Sequence, residues 1–437
     1  MTDAAGATPA GPVQWHGSGG PLSEGERVFG DLLTASHLLA PYAVPGLLTE
    51  HAGRLGAREA QVYLADLQQD VLVPFVGAGG AGVDLTLVPL MVDATLAGRA
   101  YQQVQVLTQP TDDGLRVWLP LLDGSERLGV MSVLVRSEQA LQADDAALLA
   151  RLNRLGAVAA ELVMTKTLYG DTIVRVRRSA QMGLAAEMQW GLLPPLSFAC
   201  PAVTVAGALE PAYQVAGDTI DYAVDAGFTR VGVFDGMGHG LQSAQLASLA
   251  VAAYRNARRS SRGLPETVRV IDEALLTGFG GEAFTTAVLA ELNTDTGRFD
   301  WVSAGHPEPL LLRGGRLVKA LHVDPGPPLG LGHVADPEGP AGRVVVGSEQ
   351  LEPGDRVLFY TDGVVEARSP DGEFFGVERL VDLVTRNLAG DLPTPETMRR
   401  VVRSLLSHQQ GQLSDDASLL LLEWRSGSEQ ALLPVPS

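Results

Sequence analysis

The feature that most constrains this chain is a set of aspartates placed where apolar strands begin or end. In RVGVFDGMGHG, Val231 and Val233 lie on the same face of a predicted strand as Asp235, and glycines follow. RVLFYTDG repeats the arrangement with Asp362. A carboxylate that points inward at a strand end needs a cation, a cap or a metal as its partner. The chain must therefore fold so that these carboxylates find such partners.

Two further acidic pairs belong to this pattern. Asp218 and Asp221 lie in VAGDTID, just upstream of the strand that ends at Asp235, and Asp415 and Asp416 stand immediately before ASLLLLEW. Any one of them could be an ordinary turn aspartate. Together, with no Cys and little His nearby, they predict an all-oxygen site that suits Mg²⁺ or Mn²⁺. Two such ions about 4 Å apart can bind a phosphate, generate hydroxide at neutral pH and stabilise an in-line displacement.

The stretch from about 196 to 425 resembles the metal-dependent protein phosphatases of type 2C, in their bacterial SpoIIE/RsbU-type branch. The elements that carry the resemblance occur in the family's order: LAAEMQWGLLPP, AGDTID, DGMGHG, AFTTAVLAELN, VSAGHPEPLLL, PPLGL, LEPGDRVLFYTDGVVEA and LSDDASLLLLE. The resemblance implies a domain over 196–425 that is a β-sandwich flanked by helices, with the metals at one edge. It also implies hydrolysis of phosphoserine or phosphothreonine without a covalent phosphoenzyme.

The resemblance implies roles for individual residues as well. Asp235 would bridge two Mn²⁺ or Mg²⁺ ions, with help from the carbonyl of Gly236. Asp218, Asp362 and Asp415 would complete the cage, and these four aspartates are the candidate catalytic residues. The implied substrate is a phosphorylated regulatory protein of the anti-anti-sigma type.

Other residues near these motifs have two interpretations. Asp221 and Asp416 are expected to support the site without binding metal, and Ala216 stands where the family usually has glycine. His239 and His306 could each supply a proton to the leaving group, since His titrates near neutral pH, or could be structural turn residues. A bound water is the alternative proton donor.

The basic residues of this half give little sign of a phosphate clamp. Arg255, Arg258 and Arg259 lie on a predicted helix over 241–261 and are expected to form a solvated face. No aspartate loop carries an adjacent Arg, so recognition is expected to come from the protein surface around the site, including 322–342.

The N-terminal half predicts a second α+β unit. Residues 23–140 combine a helical entry with short apolar or alternating runs, which favour an antiparallel sheet beside helices, and they resemble a GAF sensory domain. Such a domain could bind a ligand or act as a dimerisation scaffold. No cysteine precedes Cys200, which excludes a thioether-linked bilin. The segments 1–22 and 426–437 are predicted to be tails, the first of them disordered.

A helical linker is predicted over 141–195. Within it, 144–192 is expected to form one long helix or two in series, and apolar residues repeat at heptad spacing: Leu148, Leu152, Leu155, Ala159 and Leu162. This seam could pack on its own domain or form a coiled coil, and we expect a homodimer through the linker. The helix at 184–193 is expected to brace the loops that bear Asp218 and Asp235.

The net charge and composition of the chain exclude several classes of function. The formal net charge is −19, so nucleic acid and anionic membranes are poor partners. Neither a transmembrane segment nor a signal peptide is found, and a single cysteine fits a reducing compartment, so the expected location is the cytoplasm.

Two other functions are compatible with parts of the sequence. One is a catalytically weak phosphatase fold that acts as a ligand-gated protein-binding regulator. The other is a phosphatase with an aspartyl nucleophile, which the spacing of Asp218 and Asp221 disfavours because that chemistry needs D-x-D.

Overall fold

The computed structural model describes residues 23–77, 87–136, 145–214, 217–332, 344–390, 392–411, 413 and 415–424. The predicted tails, Ala216 and residues 333–342 of the 322–342 stretch lie outside these ranges. None of the described helices is both long and apolar enough to cross a lipid bilayer.

The N-terminal unit contains the antiparallel sheet that the sequence predicts. Its strand order is β3-β2-β1-β6-β5-β4, and every pairing is antiparallel. The strands are β1 (Glu59–Ala65), β2 (Val71–Phe75), β3 (Leu90–Met91), β4 (Leu107–Thr111), β5 (Gly114–Asp123) and β6 (Glu126–Val135). The helices beside them are α1 (Glu24–Ser36), α2 (Val44–Arg54) and α3 (Leu96–Gln103), with a 3₁₀ turn at Pro41–Ala43. The assignment of this unit to the GAF fold stays a prediction.

The predicted linker does not form one helix or two in series. It contains three helices, α4 (Asp145–Thr167), α5 (Thr172–Val176) and α6 (Leu184–Trp190). The apolar seam of α4 packs inside the N-terminal unit, where Leu152 and Leu155 are fully buried against residues such as Val28 and Leu119. The expectation of a coiled-coil dimer through this seam is therefore wrong, because helices and strands of the same chain already cover it.

The C-terminal half is a sandwich of two antiparallel sheets. The first has the order β15-β12-β11-β10-β9 and the second β14-β13-β16-β17-β8-β7. Its strands are β7 (Ser197–Ala199), β8 (Val203–Glu210), β9 (Asp218–Asp225), β10 (Phe228–Gly236), β11 (Thr285–Asn293), β12 (Arg298–Ala304), β13 (Leu310–Arg313), β14 (Arg316–Ala320), β15 (Gly347–Gln350), β16 (Arg356–Tyr360) and β17 (Ala417–Trp424). Side chains between the sheets, among them Val231, Val233 and Leu420, form a common core.

Helices cover the outer face of each sheet, as the sequence predicts. The first sheet packs against α7 (Leu241–Arg259) and α8 (Leu264–Phe279), and the second against α10 (Val377–Ala389) and α11 (Thr394–His408). A short helix, α9 (Asp362–Val365), follows β16. The alternation along β10 explains this layering, because Val231 and Val233 face the other sheet while Phe234 faces α7 and α8.

The two halves of the chain meet at a buried ion-pair network. Glu396 on α11 is fully buried, and it accepts hydrogen bonds from Arg127 of β6 at 2.7 Å and from Arg399 at 2.9 Å. Arg127 also donates to Gln69, and Arg399 to Asp93. A buried carboxylate is tolerated only when it is paired. Since the partners of Glu396 come from both halves, this network ties the halves together.

Candidate metal centre

The register of the first sheet brings two of the predicted aspartates together. Asp218 at the start of β9 lies directly opposite Asp235 near the end of β10, and Thr286 of β11 lies opposite Asp235 on its other side. Side chains of directly opposed residues share one face and lie close to each other. Asp218 is buried, and Asp235 is partly exposed at the edge of the sandwich.

The second sheet contributes the other two aspartates. Asp362 is the first residue of α9, directly after β16, and Asp415 precedes β17, which pairs with β16. Gly363 allows the two segments to approach, because a Cβ at that position would lie 1.9 Å from the carbonyl oxygen of Asp416. The four candidate residues therefore converge at one edge of the sandwich, from both sheets.

The electrostatics of this edge are those of a cation site. Burial raises the pKa of Asp235 to about 7, and the negative charges of Asp362 and Asp415 add to the effect. Burial, followed by Asp235 and Asp416, raises the pKa of Asp218 well above its usual range. Burial and Asp415 also raise the pKa of Asp362. The ionised forms of these three carboxylates are thus destabilised by burial and by neighbouring charges, and a divalent cation would relieve the repulsion.

These carboxylates do not form a finished cage. Within the ranges that the structure covers, no three acidic, imidazole or thiol side chains are gathered closely enough to enclose an ion. The aspartates are nevertheless near enough to raise one another's pKa. The strands that bear them also converge, since Asp218 lies opposite Asp235 and Asp415 precedes the strand that pairs with β16. The donor set consists of oxygens, which fits Mg²⁺ or Mn²⁺.

Backbone contacts hold the loop that bears Asp218. Asp416 accepts hydrogen bonds from the amides of Gly217 at 2.6 Å and Asp218 at 3.3 Å, so it supports the site as expected. Gln189 of α6 donates to the carbonyl of Asp218 at 2.7 Å, which agrees with the expected bracing by this helix. The sequence reasoning did not identify Gln189 individually, or Thr361, whose hydroxyl lies 2.6 Å from Asp218 Oδ2. In the sequence, the only indication of a role for these residues is that Gln189 lies in the motif EMQW and Thr361 in the motif YTDG.

Gly236 occupies a crowded position beside the aspartates. Its amide donates to the carbonyl of Gly217 at 3.0 Å, and its own carbonyl accepts from Ser243 Oγ at 2.9 Å. A carbonyl oxygen has two lone pairs, so one is left for a cation. A Cβ on Gly217 would lie 2.4 Å from the carbonyl oxygen of Gly236, which explains the need for glycine there.

The two histidines occupy different environments. His306 is buried, its Nδ1 lies 2.9 Å from Thr286 Oγ1, and burial lowers its pKa to about 3. It is therefore neutral at physiological pH and has no extra proton to give. His239 is exposed in the glycine loop after β10. The structural interpretation is thus favoured for His306.

The expectation of a solvated arginine face on α7 is wrong for two of its three residues. Asp221 is fully buried, and it accepts from Arg255 at 2.7 Å and from Arg258 at 2.9 Å. Arg259 is exposed, as expected. Asp221 therefore anchors α7 to the first sheet, which is the supporting role that the sequence predicts.

Comparison with known proteins agrees with this geometry. The sequence profile of the family described as Stage II sporulation protein E (SpoIIE) matches residues 225–425, a range that contains Asp235, Asp362 and Asp415. Protein IcfG from Synechocystis is 28% identical over 36% of this chain and 24% of its own length. Phosphoserine phosphatase RsbU from Bacillus subtilis is 24% identical over 56% of this chain and 70% of its own.

Among solved structures, the SiaA-PP2C domain of Pseudomonas aeruginosa aligns at 22% identity with a TM-score of 0.46, and the alignment covers 55% of this chain and 94% of that one. The chain thus spans about a quarter of IcfG and 70% of RsbU. Residues 225–425 thus match the SpoIIE family model, and the chain is similar to a protein named phosphoserine phosphatase RsbU.

Proposed function

We propose that this chain hydrolyses phosphoserine or phosphothreonine on a regulatory protein, using two divalent cations. The observation that carries the proposal is the convergence of Asp218, Asp235, Asp362 and Asp415 at one edge of the sandwich. There, burial and the charges of neighbouring carboxylates raise the pKa values of Asp218, Asp235 and Asp362. These four aspartates and the carbonyl of Gly236 would hold two Mn²⁺ or Mg²⁺ ions. When bound, such ions lower the pKa of water and offset the negative charge of a phosphate.

The chain's own residues would hold this centre in place. Asp416 fixes the backbone before Asp218, Ser243 fixes the carbonyl of Gly236, and Thr286 hydrogen-bonds to Asp235. Such supporting contacts orient metal ligands and typically affect metal affinity about 10- to 100-fold. The buried, neutral His306 contacts Thr286 and would act as part of this support.

The proposed substrate is a phosphorylated protein of the anti-anti-sigma type. Similarity to a protein named phosphoserine phosphatase RsbU supports phosphoserine as the group that is hydrolysed, and the anti-anti-sigma class is what the resemblance of the sequence implies. With Arg255 and Arg258 committed to Asp221, two candidates for a phosphate clamp are already paired. Recognition of a small phosphate ester would need dedicated cationic side chains, so contacts with the surrounding protein surface would have to supply the specificity.

We further propose that the N-terminal unit, as a GAF-like sensor, controls the phosphatase. Three sets of contacts support a mechanical connection between the two. The network around Glu396 is the first. In the second, Glu126 of the β5–β6 hairpin accepts from the amide and hydroxyl of Ser197 at 2.9 and 3.0 Å. In the third, Ser179 donates to Asp66 at 3.0 Å, in the segment that leads to α6. Since α6 holds the Asp218 backbone through Gln189, a shift of the N-terminal unit could reach the metal centre.

The deciding experiment is hydrolysis of a phosphoserine protein by the full chain, with and without Mn²⁺. We expect activity that requires the metal, is lost on chelation, and is abolished by Asp235→Asn while the circular dichroism spectrum is unchanged. Asp371→Asn is the matched control, because Asp371 is also followed by a glycine but is exposed and outside the candidate centre. Full activity after chelation would contradict the two-metal proposal. Metal binding and partner binding without hydrolysis would favour the alternative, a catalytically weak fold that acts as a ligand-gated regulator.

A further inference from the structure

Thr361 is a buried residue between β16 and α9. Its side chain forms a hydrogen bond to a residue outside α9. A threonine that precedes a helix usually accepts a hydrogen bond from an amide in the first turn. Thr361 occupies that position before α9 but makes no such bond. Its hydroxyl lies 2.6 Å from Oδ2 of Asp218, which belongs to the other sheet. Thr361 is fully buried, so this contact is shielded from water.

The direction of this hydrogen bond follows from the second partner of the hydroxyl. The amide of Ser418 donates to Thr361 Oγ1 at 2.9 Å, and the amide of Thr361 donates back to the carbonyl of Ser418 at 3.1 Å. An ionised carboxylate can only accept. The single hydroxyl proton of Thr361 is therefore available to Asp218, and β17 holds the hydroxyl in place.

We propose that Thr361 is a positioning residue for Asp218, which holds Oδ2 by a hydrogen bond and leaves Oδ1 as the oxygen available to a cation. The inference rests on the proposed function. It names a residue of the second sheet, Thr361, that orients a proposed metal ligand of the first sheet, Asp218. Asp218 lies directly opposite Asp235 in the first sheet, and the carboxylate of Asp416 accepts from its amide at 3.3 Å, so two nearby negative charges repel its own. A hydrogen bond donated to the ionised carboxylate offsets this repulsion and fixes the side-chain rotamer.

The test is Mn²⁺ titration of the full chain by calorimetry, together with the dependence of hydrolysis on Mn²⁺ concentration. Thr361→Val keeps the shape of the side chain and removes the hydroxyl, and we expect its Mn²⁺ affinity to fall about 10- to 100-fold. Raising the Mn²⁺ concentration should restore much of its rate. Thr361→Ser keeps the hydroxyl and should bind Mn²⁺ like the unmodified chain.

Thr229→Val is the matched control. Thr229 is also fully buried in the sandwich, on β10, and within the described residues its hydroxyl has no hydrogen-bond partner. Removal of the Thr229 hydroxyl should leave the Mn²⁺ affinity unchanged. A merely structural role for Thr361 would lower the melting temperature of the valine variant without changing the affinity.

Four outcomes decide between the inference and its alternatives. An unchanged Mn²⁺ affinity in folded Thr361→Val overturns the inference, and so does an equal loss in Thr361→Ser, which would assign the effect to methyl packing. If Thr361→Val does not fold, Thr361→Cys replaces it, because a thiol keeps a γ atom but donates weakly; its affinity must then fall. Failure of the unmodified chain to bind Mn²⁺ would instead contradict the proposed function.

Discussion

Replacing Glu396 with glutamine should loosen the connection between the two halves of the chain. The substitution keeps the size of the side chain but removes the charge that pairs with Arg127 and Arg399. Both arginines are almost completely buried, with 2% and 3% of their side chains exposed. Each would keep a polar partner, Gln69 for Arg127 and Asp93 for Arg399, but would lose its buried counter-charge.

The magnitude follows from the ionisation of Glu396. Burial opposes ionisation, but Arg127 and Arg399 outweigh it and lower the pKa of Glu396 from 4.5 to about 2. At about 1.4 kcal/mol per pH unit, this corresponds to roughly 3 kcal/mol of stabilisation at neutral pH. Removing one partner of a buried ion pair typically costs about 3 to 5 kcal/mol, so the two arguments agree.

The sign of the pH dependence is also defined. Because the folded pKa lies below the unfolded one, the stabilisation is present above pH 4.5 and is lost as the pH falls toward about 2. In the unmodified chain this contribution should therefore disappear on acidification. Glu396→Gln should show a flatter dependence of stability on pH over the same interval.

The assay is equilibrium unfolding in urea, followed by circular dichroism and by tryptophan fluorescence. We expect Glu396→Gln to lower the free energy of unfolding by about 3 kcal/mol and to separate the transitions of the two halves. Arg400→Met is the control on the same helix, since Arg400 pairs with the same carboxylate at 2.9 Å but is 43% exposed. Loss of this partly exposed ion pair should lower the free energy of unfolding by less than about 1 kcal/mol. Equal effects of the two substitutions would refute the reasoning.

Three further predictions concern the site, the substrate and the N-terminal core. Asp362→Asn and Asp415→Asn should weaken Mn²⁺ binding, so that excess Mn²⁺ recovers part of the rate; variants that stay inactive at every Mn²⁺ concentration would argue against a ligand role. An intact phosphorylated partner domain should be hydrolysed with a kcat/KM at least about 100-fold above that of free phosphoserine, if remote contacts contribute about 3 kcal/mol; equal values would exclude recognition by surface contacts. Leu155→Asp should unfold the N-terminal unit by burying a charge, as measured by circular dichroism, whereas Leu168→Asp, at a side chain that is 81% exposed, should not; a stable Leu155→Asp protein would contradict the packing of α4.

The sequence was sufficient to locate the aspartates because two-residue alternation reports directly on burial. Val231 and Val233 indicated the inward face of β10, and Asp235 lies on that same face. The pairing of Asp221 with Arg255 and Arg258 could not be read in this way, because residues more than 30 positions apart meet only once the strands and α7 are packed. Thr361 was missed for the same reason.

The heptad seam shows a second limit of prediction from the sequence. Spacing predicts that Leu152 and Leu155 are buried, but it does not say against what. In the structure the covering surface is the chain's own sheet and its first helices. A pattern of two heptads is equally compatible with packing inside a domain or between two chains, and only the fold distinguishes them.

The pairing of β8 with β17 has a consequence for biosynthesis. These strands lie side by side in register from Ala417 opposite Glu210 to Trp424 opposite Val203, so the second sheet joins segments about two hundred residues apart. Until β17 has left the ribosome, β8 and β16 lack the strand between them, and Asp415 is missing from the edge. Contacts of such long sequence separation form late and slowly. The N-terminal unit can therefore complete its own sheet during translation, whereas the four aspartates of the candidate metal centre come together only with the last strand of their domain.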